Sequence, residues 1–197
     1  MIEVEKKFKL DKKQLARIIK LADFVSKKAF IDIYFDDEKR TLTCHDMWLR
    51  KRGQNFEFKV PVKFQQAGKR ANVYREIYGR KKISARLKIK NEGSDFTKTL
   101  KKNGYSPFCK IKTIRQKYSY QRFTIDIDEM GFGYALCEIE KAASSPAKIM
   151  ETEKAVLKLG HELGLRIKWK IRGKVLEYLW RYDKKHYNKL KESKVIL

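Results

Sequence analysis

In the stretch IEVEKKF that opens the chain, Ile2, Val4 and Phe8 alternate with Glu3, Glu5 and Lys7. Drawn out as a strand, such a segment turns its apolar side chains to one face and charges of both signs to the other. The commonest use of this pattern is a half-buried strand with its polar face in water. Here the pattern recurs: Arg50 with Arg52, Glu57 with Lys59, Arg115 with Lys117, Asp126 with Asp128, and Glu138 with Glu140 all keep period two. The opposing positions read as apolar, namely Ile2 and Val4, Phe56 and Phe58, Phe123, Ile125 and Ile127, and Leu136 with Ile139. Two folds accommodate such strands. A sandwich packs the apolar faces together and leaves the charges in water. A sheet closed on itself packs its apolar faces outward under helices and lines a central channel with charge.

At 197 residues the chain suffices for one sizeable core. It has no internal repeat, low-complexity tract or Pro/Gly-rich linker, so one domain over residues 1–197 is expected, as a monomer. No stretch approaches the ~20 apolar residues of a membrane-spanning helix. The charged opening strand is unlike a signal peptide, so a soluble cytoplasmic protein without a membrane partner is expected. Cys44, Cys109 and Cys137 are odd in number and lack metal-ligand spacing, and they read as reduced thiols. Cys44 and His45 read as strand neighbours on opposite faces, which excludes a catalytic pair or a zinc site. His161 and His186 read as surface residues on helices.

Helices are expected at LDKKQLARIIKLA, with Asp11 as N-cap and Gln14 three residues on, and between Lys81 and Asn103 with a break near Gly93. Another is expected at SSPAKIMETEKAVLKLGHELG, with Ser145 as cap, Pro146 in the first turn and Gly164 at the end. The last, GKVLEYLWRY, would turn Val175, Leu176, Leu179 and Trp180 to one side. KAFIDIYFD, MWLRKRG, FEFKVPVK, NVYREIYG, FCKIKTIRQKYSY, RFTIDID and YALCEIEKA read as strands, the second and third forming a hairpin around Gly53. Many antiparallel strands with added helices make an α+β pattern.

The channel solution carries its own chemistry. Were Glu3, Glu5, Asp126, Glu138 and Glu140 to converge, repulsion would raise their pKa values unless a cation sat among them. Carboxylates without His or Cys partners are the hard-oxygen environment of magnesium or manganese. Arg and Lys on neighbouring strands would hold phosphate oxygens, Arg by its fork and Lys as a point charge. The whole would be a receptacle for a metal-bound polyphosphate. No Ser-His-Asp or Cys-His arrangement suggests a covalent intermediate.

Glu3-Val4-Glu5-Lys6-Lys7 fits a Glu-x-Glu-x-Lys signature, and IDIYFD, WLRKRG, FEFKVP, TIRQKY, IDIDEMGFGYALCEIE and GKVLEYL follow it in order and nearly span the chain. In these motifs the chain resembles the CYTH superfamily, the triphosphate tunnel metalloenzymes. Trp48 before Arg50-x-Arg52, Phe132-Gly133-Tyr134-Ala135 ahead of Glu138-Ile139-Glu140, and Lys174 to Leu179 look most like the animal thiamine triphosphatases within it. The resemblance implies a closed eight-stranded antiparallel barrel with helices packed on its outside. It implies that Glu3, Glu5, Asp126, Glu138 and Glu140 hold a magnesium or manganese ion. It also implies that Lys7, Arg50, Arg52, Lys59, Arg115 and Lys174 bind the triphosphate, with Glu138 beside the substrate, Trp48 stacking on its organic part, and Arg75 joining them. Tyr34 would pair with Lys7 and tune it, making these two the catalytic residues. The implied reaction is metal-dependent hydrolysis of thiamine triphosphate to the diphosphate and phosphate, a step of thiamine metabolism.

Inorganic tripolyphosphate hydrolysis and adenylyl cyclisation are alternatives on the same scaffold. A third comes from charge: 48 Lys plus Arg against 24 Asp plus Glu give a net +24, more basic than such an enzyme requires. That excess fits a polyanion- or RNA-binding module.

Overall fold

A computed structural model describes residues 2–62, 71–91, 93–166 and 171–196. Eight strands, β1 (Ile2–Phe8), β2 (Asp23–Asp36), β3 (Trp48–Arg52), β4 (Asn55–Pro61), β5 (Asn72–Tyr78), β6 (Ser106–Tyr120), β7 (Phe123–Met130) and β8 (Tyr134–Ala143), close into a barrel in the order β1-β5-β4-β3-β2-β6-β7-β8. Every neighbouring pair is antiparallel, and β8 returns to β1 with Glu5 opposite Glu140 and Lys7 opposite Glu138. The final Lys63 of the expected strand FEFKVPVK lies outside the described residues. β3 and β4 are joined through Gly53, whose φ of +58° suits the first position of a tight hairpin loop.

The closed sheet is the second of the two solutions. Register carries the inward side across β1, β8, β7 and β6: Glu3, Glu5 and Lys7 face Glu138 and Glu140, which adjoin Asp126, then Arg115 and Lys117. The outer faces are covered by helices α1 (Lys12–Leu21), α2 (Arg80–Leu87), α3 (Phe96–Lys102) and α4 (Ile149–Glu162). Asp11 and Gln14 form a reciprocal capping box at the start of α1, as expected. α4 lays Val156 and Leu159 on Val4, Phe8, Ile125 and Ile139. Full burial of Phe8 there is worth roughly 1.5–3 kcal/mol. α2 and α3 bury Ile83, Phe96 and Leu100 against Phe56 and Phe58, α2 ending at Leu87 and α3 beginning at Phe96 on either side of the expected break near Gly93.

The remaining helices, α5 (Lys174–Tyr182) and α6 (Lys184–Glu192), sit at one end of the barrel. Val175 and Leu179 of α5 pack on Tyr34, Cys109, Ile111, Met130 and Leu136. This corrects the assignment of Leu136: it shares parity with Glu138 and Glu140, so it points inward, where α5 supplies an apolar plug. Trp180 is not on the buried side of α5 but is 39 % exposed. His186, expected on the surface, is buried in α6, its Nε2 2.8 Å from Thr43 Oγ1. That hydroxyl donates at 2.6 Å to Asp36, so it accepts from the His186 Nε2–H. Cys44 and His45 lie in a short 3₁₀ turn, Thr43–His45, not on a strand. Pro146 opens a 3₁₀ turn ahead of α4, and Ser145 makes no side-chain cap bond among the described residues. Gly164, with φ +72°, follows α4 as expected. Among the described residues no helix is long and apolar enough to cross a membrane, and the three cysteines are free.

Candidate active site

The barrel interior and the end beneath α5 form a continuous cavity of about 1090 Å³. On the β1–β8 wall, Glu3, Glu5 and Glu140 bring one carboxylate oxygen each within 4.8 Å of one another. Register makes this cluster, since Glu5 and Glu140 are directly paired across the two strands and Glu3 lies two residues along the same face. Burial, reinforced by Glu5, pushes Glu3 up to about 9. Burial, with Glu138 and Asp126 close by, pushes Glu140 up to about 8. Burial acts the same way on Glu5, but Lys7 and Lys59 outweigh it and hold that carboxyl below the usual range.

Both lysines reach in among these acids. Lys7 contacts Glu5 and lies 3.5 Å from Glu138. Lys59 contacts Glu3 and lies 3.4 Å from Glu5 and 3.3 Å from Glu76. Burial pulls each ammonium down, yet these carboxylates prevail and raise both above the ordinary lysine value. Two carboxyls that burial and neighbouring acids keep protonated, Glu3 and Glu140, beside the ionised Glu5 form an oxygen donor set that suits a hard divalent cation.

The opposite wall is organised by two further acids. Arg115 donates to both oxygens of Asp128 at 2.6 Å, contacts Asp126, and donates to Glu138 at 3.2 Å. Asp32, fully buried, accepts from Arg52 Nε at 2.7 Å and Nη2 at 2.8 Å and from Lys174 at 2.7 Å, with Arg50 3.6 Å away. Burial would raise Asp32, but these cations hold it below the usual range. Arg50 also pairs with Glu57 at 2.7 Å. Bidentate forks of this kind fix guanidinium planes before a ligand arrives.

Lys7, Arg50, Arg52, Lys59, Arg115, Lys174, Glu138 and Trp48 therefore all line one cavity. Of the five carboxylates expected together, the structure groups Glu3, Glu5 and Glu140, while Asp126 is buried beneath Arg115 and Lys117 and Glu138 bridges Arg115 and Lys7. Tyr34 sits opposite Arg50, and burial beside Asp32 raises its phenol. Its expected partner Lys7 is engaged by Glu5 and Glu138 instead. Arg75 is exposed and points outward: it pairs with Ile2 and Val60, both on the outer face. The inward residues of that strand are Asn72, Tyr74, Glu76 and Tyr78, which sequence reading passed over with Asp32 and Asp46. Alternation of 74, 76 and 78 in YREIY, and of Asp32 with Tyr34 in IDIYF, was the signal available for most of them.

At the α5 end, Trp48, Leu176, Val195 and Ile196 make an apolar alcove contiguous with the cationic wall. Asp46, in a left-handed conformation at φ +58°, accepts from Trp48 Nε1 and from the Tyr74 hydroxyl, each at 2.9 Å. The indole ring is thereby held in one orientation.

Comparison with known proteins yields consistent relationships. Residues 1–173 match the CYTH domain. The thiamine-triphosphatase of Homo sapiens is 25 % identical over 208 aligned positions, covering 98 % of this chain and 90 % of that protein. A Methanocaldococcus jannaschii protein named "Putative adenylate cyclase" is 32 % identical over 165 positions, covering 80 % of this chain and 89 % of its own length. Among solved structures, the PH1819 protein of Pyrococcus horikoshii superposes with a TM-score of 0.66 at 21 % identity, covering 91 % of this chain and 99 % of that one.

Proposed function

The chain belongs to the CYTH family, and from that premise we propose that it is a metal-dependent hydrolase that converts thiamine triphosphate to thiamine diphosphate and phosphate. Family membership supports an enzyme acting on triphosphates and implies a divalent metal. The observation that carries the finer reading is the continuity of the cavity, in which a wall of Arg and Lys opens onto an alcove faced by an oriented Trp48. An inorganic polyphosphate would use only the first part; an organic triphosphate uses both.

Glu3, Glu5 and Glu140 would hold the ion, for which magnesium or manganese is the reading. Such an ion supplies neutralisation of phosphate charge and acidification of a water. The protein's own part is positioning and electrostatics. Arg50, Arg52, Arg115 and Lys174 present donors already aligned by Asp32 and Asp128, so little reorganisation accompanies binding. Lys7 and Lys59 stay cationic because of the carboxylates around them, and they offset charge that builds on the phosphoryl oxygens. Tyr34 keeps its proton and acts as a hydrogen-bond donor at the same wall, not as a base. A thiazolium ring carries a positive charge that the Trp48 face attracts, with the Asp46 carboxylate beside it. The three free thiols accord with a reducing, cytoplasmic setting.

The test is phosphate release from thiamine triphosphate, inorganic tripolyphosphate and ATP, side by side with magnesium or manganese, for wild type and Trp48→Ala. Preference for thiamine triphosphate, with a KM for it that the substitution raises about tenfold, supports the reading. Equal or better cleavage of tripolyphosphate, indifferent to Trp48, would make the protein an inorganic tripolyphosphatase.

A further inference from the structure

We propose that the outer face of α5 is a binding surface for single-stranded nucleic acid, separate from the tunnel. An amphipathic helix on a barrel normally turns its aromatic residues inward. α5 instead leaves Trp180 39 % and Tyr182 59 % exposed. Trp180 is set among cations, and Tyr182 among rings that adjoin one. Arg172 lies 4.3 Å and Lys184 4.1 Å from the Trp180 ring. Tyr182 packs on Tyr178 at 5.0 Å, and Arg181 lies 5.4 Å from the adjoining Phe132 ring. The buried Glu177 pairs with Arg172 at 2.6 Å and Arg181 at 3.0 Å, which fixes two guanidinium groups with a single carboxylate and leaves the face positive.

Rings interleaved with fixed cations match a polymer that alternates π-faces with phosphates, and the rings are reachable only by bases that are not already stacked in a duplex. The net charge of +24 supplies long-range attraction, a part of the composition that the tunnel's own mixture of acids and bases leaves unused. An acidic peptide would be served by the cations without the rings. A lipid interface also takes Trp and Tyr beside cations, and the vesicle arm of the test separates it from nucleic acid. α3 is an internal comparison: Lys98, Lys101 and Lys102 are exposed there, while Phe96 is buried.

The test is fluorescence anisotropy with a labelled uridine oligonucleotide of roughly 12 nucleotides, at low and moderate salt. Compared with wild type are Trp180→Ala, Tyr182→Ala, Tyr182→Phe and a triple Ala variant of Lys98, Lys101 and Lys102, each checked for an unchanged melting temperature. Expected are salt-sensitive binding and a loss of about tenfold in each aromatic Ala variant. Tyr182→Phe should bind like wild type, because the ring remains, and the α3 variant should lose only part of the salt dependence. Equal affinity of both aromatic Ala variants and wild type would overturn the proposal, leaving only diffuse charge. Tighter binding to a duplex of the same length, or to phosphatidylserine vesicles, would overturn it too.

Discussion

The individual side chains of the tunnel are tuned by their neighbours, and the tuning can be measured. Glu3 near 9 and Glu140 near 8 both stand above the ordinary 4.5, so from about pH 5 to 8 the folded chain holds protons that the unfolded chain has released. Folding stability must then fall as pH rises. His186, lowered by burial to about 4, acts in the opposite sense only below its ordinary 6.5. Lys9 and Lys174, lowered mainly by burial, do so only below the ordinary lysine value of 10.5, so the part of the pH dependence lost in a Glu140 variant is the part that reports the carboxylates. Melting of the metal-free protein is expected several degrees lower at the upper end of the interval from about pH 7 to 9. Added magnesium or manganese should recover most there, and Glu140→Gln should flatten the dependence. Arg115 offers a second test at this scale. Its fork serves Asp128 through two nitrogens while reaching Asp126 and Glu138, a geometry that an ammonium cannot reproduce. Arg115→Lys should lower kcat/KM for the triphosphate about 10–100-fold in steady-state assays, although the charge is kept.

Two glycines show how whole elements set the site. α4 approaches β1 so closely that a Cβ on Gly160 would lie 2.7 Å from Phe8 Cζ. Gly160→Ala should cost about 1–2 kcal/mol in urea unfolding, the overpacking exceeding the gain in helix propensity. At the start of α5, a Cβ on Gly173 would lie 3.0 Å from Lys7 Cε. Gly173→Ala is therefore expected to move the Lys7 ammonium and lower kcat about tenfold while changing stability little, a split read by kinetics and melting together. The elements also show where sequence reading succeeds. Period two put Glu3, Glu5, Lys7, Arg50, Arg52, Lys59, Arg115, Glu138 and Glu140 on the ionic faces of their strands, and closure of the barrel turns those faces inward. Arg75 was misplaced by the resemblance against the parity of its strand, and Leu136 by its apolar character against the parity it shares with Glu138, an inward position that turns apolar under α5. His186 is buried because α6 docks on Thr43, a contact 143 residues distant in sequence that no local pattern encodes, while Trp180 lies beside Arg172 and Lys184 rather than in the apolar cluster.

For the molecule as a whole, the barrel reconciles two facts that conflict in a sandwich: many ionic strand faces and few of them exposed. Closure removes the sheet edges and converts what would be a solvated surface into an interior where charges must be paired, which is why acids and bases interlock as they do. That the faces were ionic was legible in the sequence; that Glu3, Glu5 and Glu140 would separate from Asp126 was not, since it depends on which strands adjoin and on the reach of Arg115. The account rests on that separation, with a cation-seeking acid cluster on one wall and a preorganised basic wall opposite. The most direct measurement is phosphate release from thiamine triphosphate and from inorganic tripolyphosphate against magnesium or manganese concentration, for wild type, Glu3→Gln and Glu140→Gln. Activity that vanishes with chelation, and a metal requirement that rises about tenfold or more in both variants with the fold intact, is the predicted result. Activity that ignores the metal, or variants whose metal dependence matches wild type, would contradict it.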